Sequence, residues 1–139
     1  MIIMHEKIYI NCDGGSRGNP GPAAIGVLIR DNKNRVICEY KEKIGKNTNN
    51  VAEYMSLIKS LKLAGKYTRN TVYVRMDSEL VVRQVSGIYK VKARHLVPLY
   101  TEARSLEANF KKVVYSSVPR NNRFQSEADR LVNEALDGI

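Results

Sequence analysis

Residues 7–22 read Lys7-Ile8-Tyr9-Ile10-Asn11-Cys12-Asp13-Gly14-Gly15-Ser16-Arg17-Gly18-Asn19-Pro20-Gly21-Pro22. The opening run is of β type and delivers Asp13 at its end. Glycines and prolines then crowd the stretch up to Pro22. They break regular structure and leave backbone amides open, since Gly has no side chain to block a close approach. A carboxylate at a strand end beside such a loop suggests a site. Taken alone, the same residues describe a tight turn after an edge strand, so the rest of the chain has to decide.

Working outward, Lys7 to Asp13 is a first strand and Ala24 to Arg30 a second. Asp31 to Asn34 is a turn cluster, and Arg35 to Lys43 a third strand. The tight connections make these an antiparallel meander. The apolar period then changes. Val51, Tyr54, Met55, Ile58 and Leu61 fall at helical spacing, predicting a helix over 49–65 behind the capping types Thr48, Asn49 and Asn50, with Gly65 as its stop. Thr71 to Met76 is a fourth strand ending at Asp77. Ser78 caps a short helix with Leu80, Val81, Val82 and Val85 inward, closed by Gly87. A basic connector, Tyr89 to Arg94, precedes a helix whose buried face is Leu99, Ala103, Leu106 and Phe110. Lys112 to Val118 is a fifth strand, and Ala128, Leu131, Val132, Ala135 and Leu136 define a last helix.

The order βββαβααβα predicts an α/β fold with one five-stranded mixed sheet and helices on both faces. Its crossovers should be right-handed. At 139 residues the chain is expected to be a single domain, 1–139, large enough for a core without disulfide or metal staples. Met1-Ile2-Ile3-Met4 is too short for the apolar part of a leader, so a cytoplasmic setting is expected. Cys12 and Cys38 fit neither a zinc spacing nor a secreted disulfide framework. With the second strand between theirs, their separation is about 9–10 Å. A disulfide needs Cα atoms within about 7 Å, so both thiols should be free. The net charge of +9 favours a polyanionic partner, nucleic acid first.

Four acids stand out against that basic background. Asp13 and Asp77 end two strands that should be parallel neighbours, and ligands bind outside the carboxyl ends of such strands. Glu53 lies in the first turns of the long helix. Asp129 is expected in the first turn of the last helix, where the dipole favours an anion. Each acid singly is also an ordinary helix-terminal charge or cap. Several carboxylates converging on one point cannot all stay ionised without a cation. Oxygen donors without His or Cys suit magnesium first and manganese second. Two such ions about 4 Å apart can hold a phosphodiester, activate a water and stabilise the leaving oxygen.

These residues, with the element order, resemble the type 1 ribonucleases H, in the short form without a Trp-rich basic protrusion. The matching motifs are D-G-G-S-R-G-N-P-G-P at 13–22, T-N-N-V-A-E at 48–53, M-D-S-E-L-V at 76–81 and E-A-D-R-L at 127–131. The resemblance covers about residues 6–137. It implies hydrolysis of the RNA strand of RNA/DNA hybrids with two metal ions, leaving 5′-phosphate and 3′-hydroxyl ends. It implies that Asp13, Glu53, Asp77 and Asp129 are the catalytic, metal-binding quartet. It implies further that Gly14, Gly15, Ser16, Asn19, Asn49, Asn50 and Ser78 face the hybrid, and that Lys46 and Thr48 grip a DNA-strand phosphate. The 2′-hydroxyl in a wide, shallow minor groove is what such a surface reads.

The chain departs from the family pattern in places. Glu79 stands where Gln is common, and Arg120 to Phe124 fill a loop that often carries a His. There is no Trp; Tyr89, Lys90, Lys92 and Arg94 are expected to do part of the missing protrusion's work. No extra hybrid-binding domain is expected ahead of the catalytic one. Two alternatives remain open at this level, an integrase- or resolvase-like DNA nuclease of the same fold and a binding module without catalysis. A phosphate-loop nucleotide site is disfavoured, because no Lys-Ser/Thr pair ends the loop.

Overall fold

The computed structural model describes residues 4–139, so most of the Met1–Met4 run lies outside them. Five strands form one sheet: β1 (Lys7–Ser16), β2 (Gly21–Arg30), β3 (Val36–Asn47), β4 (Thr71–Met76) and β5 (Lys112–Ser117). Their order is β3-β2-β1-β4-β5. The first three are antiparallel, and β4 and β5 add in parallel to β1. Four helices accompany them: α1 (Asn49–Ala64), α2 (Glu79–Val85), α3 (Val97–Leu106) and α4 (Arg123–Asp137). This is the mixed sheet that the element order predicts. Among the described residues no helix is long and apolar enough to cross a membrane.

The alternation of β1 explains the two layers. Ile8, Ile10 and Cys12 point to one face and join Val27, Ile29, Val72, Val74 and the buried side of α1 in the main core. The opposite face meets α4 through a smaller cluster of Ala24, Val132 and Ala135. Cys12 pairs with Val27 and Cys38 with Ile29, so β2 separates the two cysteines, and both are free.

Several local expectations are corrected. β1 does not stop at Asp13 but runs three residues further to Ser16, because Gly14, Gly15 and Ser16 pair with Ile25, Ala24 and Ala23. Only Arg17 to Pro20 form the irregular hairpin tip, closed by Arg17 N–H to the Pro22 carbonyl. β3 likewise reaches Asn47 rather than Lys43. Leu80 is exposed, not inward, since it sits on the outer side of α2's first turn. Gly65 does stop α1 as expected, in ordinary right-handed geometry. α4 begins at Arg123, capped by Asn122, whose Oδ1 accepts from Phe124 and Gln125 N–H. Arg123 and Phe124 are therefore helical. Asp129 is the seventh residue of α4, beyond its first turn, so the helix dipole does not explain its placement.

Candidate active site

The β1–β4 ladder ends at the pair Asn11 and Arg75. Two residues further along stand Asp13, within β1, and Asp77, directly after the end of β4. Glu53 reaches them from the fifth position of α1. α1 crosses closely because position 14 has no side chain: a Cβ on Gly14 would lie 2.1 Å from the Ala52 carbonyl oxygen. The approach of α1 by itself thus demands glycine at 14. One carboxylate oxygen each from Asp13, Glu53 and Asp77 lie within 4.8 Å of one another.

Asp129 arrives from the other side of the sheet on α4. Gly26, the β2 partner of Asp13, makes this possible, since a Cβ there would lie 2.4 Å from the Ala128 carbonyl oxygen. Asp129 is not part of the 4.8 Å group, but it lines the same cleft of about 390 Å³ as Asp13.

The electrostatics are those of a site with too much negative charge for its burial. Desolvation first, then the Asp77 and Asp129 carboxylates, push Asp13 up to about 8. Desolvation and then Asp13 and Asp77 hold Glu53 well above the usual carboxylate range. Glu53 Oε2 is buried with no hydrogen-bond partner. Arg120 answers part of the charge: its Nε lies 3.2 Å from Asp77 Oδ2. An orphaned carboxylate oxygen, clustered oxygen donors and raised proton affinities fit a hard divalent cation.

The hairpin tip forms one wall. Ser16 donates to Asn49 Oδ1 from both its N–H and its hydroxyl, and Asn49 N–H donates to Asn19 Oδ1, each at 3.0 Å. These bonds tie the tip to the start of α1. They use the acceptor ends of Asn19 and Asn49 and leave the side-chain NH₂ groups without a partner among the described residues. Asn50 is exposed beside them and lines the cleft with Gly15 and Ser78.

Other expected contacts are spoken for in part. Thr48 Oγ1 accepts from Val51 N–H as the α1 cap, and Ser78 Oγ accepts from Val81 N–H as the α2 cap. Lys46 is exposed and lines a separate basic hollow with Arg17 and Lys43. Tyr89, Lys90 and Lys92 are exposed outside the cleft, and the Arg83 guanidinium lies over the Tyr89 ring at 5.4 Å. Sequence reading missed Gly26, and it missed the contact that Arg120 makes. The signal for Gly26 was a lone glycine inside a strand pattern, which marks close backbone approach.

Residues 11–135 match the family described as reverse transcriptase-like. The chain is 46% identical over 132 residues to the bifunctional protein Rv2228c of Mycobacterium tuberculosis, covering 94% of this chain and 36% of that protein. It is 37% identical to ribonuclease HI of Halobacterium salinarum, covering 94% and 65%. The chain therefore spans between about a third and two thirds of these curated relatives. Among solved structures, the N-terminal RNase H domain of Rv2228c superposes with a TM-score of 0.90 at 46% identity, covering 95% of this chain and 94% of that one. LC11-RNase H1, solved in complex with an RNA/DNA hybrid, gives 0.86 at 43% identity, covering 94% and 97%. The RNase H1 of Halobacterium salinarum gives 0.90 at 36% identity, covering 96% of this chain and 99% of that one. Identity at that level over the full length of a solved relative is kinship and not shared topology alone, and the chain belongs to the type 1 ribonucleases H.

Proposed function

We propose that this chain is a metal-dependent endoribonuclease that cleaves the RNA strand of RNA/DNA hybrids, leaving 5′-phosphate and 3′-hydroxyl ends. The observation that carries this is the meeting of Asp13, Glu53 and Asp77 within 4.8 Å, with Asp129 beside them in one open cleft. Relatives of the same family support the substrate, one of them having been solved with a hybrid bound. The described residues act as one catalytic unit, and the two free thiols suit a cytoplasmic setting.

Asp13, Glu53, Asp77 and Asp129 would hold two magnesium ions, with manganese as the alternative. When bound, those ions would supply the Lewis acidity that activates water and steadies the leaving 3′-oxygen. The chain's own residues do the rest. Asp13 and Glu53 must lose protons before a cation is held, so binding releases protons. Gly15, Ser16, Asn19, Asn49 and Asn50 form the wall along which an RNA strand lies, and the Asn NH₂ groups can donate to a 2′-hydroxyl. Lys46 and Thr48 flank the path of the DNA strand, where phosphate contacts give affinity without sequence preference.

The test is cleavage of four labelled duplexes (hybrid, RNA, DNA and an RNA–DNA junction) with each metal. Cleavage of the RNA strand of the hybrid is expected. Cleavage of plain DNA duplex alone would instead make the chain a DNA nuclease of the same fold. Metal-dependent binding without cleavage of any duplex would make it a binding module.

A further inference from the structure

α4 brings Asp129 to the site, and apart from ion pairs at its solvent-facing edge (Arg17–Asp137, Lys41–Glu134 and Arg130–Glu39) little in its apolar packing fixes where along the sheet it stops. Its buried face is Gln125, Ala128, Leu131, Val132 and Ala135. Gly26 and Ala24 on the sheet allow the helix to lie close, but so smooth a sheet surface has few knobs to interlock. Apolar burial is non-directional and changes little with a small slide or rotation. Directional contacts are needed to choose one register.

Deep in this interface lies the directional contact of Gln125, which is fully buried. Its Nε2 donates to the Cys12 carbonyl at 2.9 Å, and its Oε1 accepts from Asn11 Nδ2 at 3.0 Å. Both amide ends are engaged, so the side chain cannot turn over without losing two buried bonds. Asn11, itself fully buried, accepts in turn from the buried Arg30 through Oδ1, and Arg30 donates to Asn34 at 2.6 Å. The Arg30 guanidinium lies 3.5 Å from the centroid of the Phe124 ring, so the first turn of α4 is held twice. Cys12 is the residue directly before Asp13. Asp129 is four residues after Gln125, one turn along the same side of the helix.

We propose that Gln125 is a positioning residue, setting where Asp129 stands relative to Asp13 by pinning α4 to the β1 backbone one residue before the cluster. This rests on the reading of the four carboxylates as a metal-holding site. A network of this kind is directional and buried, and buried polar networks that are satisfied specify one arrangement. Misplacing a catalytic group by about 1 Å costs about a hundredfold in rate.

The experiment uses Gln125→Met, which keeps length and removes both hydrogen bonds. Ala135→Gly, in the same helix, serves as a control that lowers stability without touching the network. Mn²⁺ is titrated into each free protein and the free ion followed by electron paramagnetic resonance, beside melting temperature and hybrid kinetics. Gln125→Met should weaken Mn²⁺ binding and lower kcat by about ten- to a hundredfold at unchanged KM. Ala135→Gly should melt lower with metal affinity and kcat intact. If Gln125→Met fails to fold, Gln125→Glu takes its place: it keeps an acceptor for Asn11, loses the donor to Cys12, and should show the same weakening. A Gln125 variant that melts lower but binds Mn²⁺ and turns over like wild type would overturn the proposal. If the wild-type protein bound Mn²⁺ but left hybrids uncut, the nuclease reading would fail while the Mn²⁺ arm still decided the role of Gln125.

Discussion

Arg120 Nε stands 3.2 Å from Asp77 Oδ2, placing a guanidinium over the cluster while 76% of its own side chain stays exposed. Its charge acts on Asp13 as well, and it lies where a divalent cation would compete with it. An exposed ion pair contributes only about 0.2–1 kcal/mol, so Arg120→Ala should destabilise the metal-free protein by no more than that. The same substitution should tighten Mn²⁺ binding to the free protein by about two- to fivefold, because a competing charge near a high-dielectric surface is worth roughly 0.4–1 kcal/mol. Calorimetric titration checks it. Unchanged or weaker binding would show that Arg120 does not compete for the site.

The proton affinity of Asp13 sets a pH dependence. Its folded value, about 8, lies above its ordinary 3.8. Glu53 shifts in the same direction. The folded state therefore binds more protons than the unfolded state between about pH 4 and 8, and stability falls as pH rises through that window. Without divalent ions, the protein should melt higher at pH 5 than at pH 8. Saturating Mg²⁺ should flatten this slope. A metal-free melting temperature that climbs from pH 5 to 8 would contradict the burial of these acids.

Asp13→Asn follows from the same physics. It should abolish cleavage, through loss of a cation ligand, and stabilise the metal-free protein at pH 7 by about 1–3 kcal/mol, one pKa unit being about 1.4 kcal/mol. Asp77→Asn should also abolish cleavage with the fold intact. Melting curves beside turnover separate the two effects. Near-wild-type rates in either variant would remove both residues from the site.

Gly14→Ala should be among the most damaging single-methyl changes in the chain. The added Cβ would run into the α1 backbone, Ala52 O at 2.1 Å and Glu53 N at 2.6 Å, so no side chain can give way. Overpacking of this kind costs about 1–3 kcal/mol or more. Because the displaced segment carries Glu53, activity should fall further than stability. Gly45→Ala makes a useful contrast, since nothing lies within 4 Å and only its φ of +77° is strained. Denaturant unfolding of the pair measures the difference.

Lys90 and Lys92 are exposed on the connector after α2. If they follow the DNA strand, Lys90→Ala/Lys92→Ala should weaken hybrid binding and flatten the slope of log affinity against log salt by about 1 to 2. Turnover at saturating substrate should stay the same. An unchanged slope would leave Lys46 and Thr48 as the DNA-strand grip.

The sequence by itself determined the order of elements and the sheet they build. Period-two runs such as Lys7 to Cys12 and the helical spacing from Val51 to Leu61 are local patterns, and burial of one face follows directly from them. Placing Asp13 and Asp77 on adjacent parallel strands needed no more than that order. The tertiary structure alone decided how Asp129 enters: it sits in the middle of α4, and its position depends on contacts from Gln125 to Asn11 and Cys12 across more than a hundred residues. It alone decided why Gly14 and Gly26 are glycines, since each leaves room for a helix backbone from a distant part of the chain. Local propensity reports what a residue does to its own backbone. Close approach and buried hydrogen bonding depend on which distant surface is brought against it, and that is settled only when the layers pack.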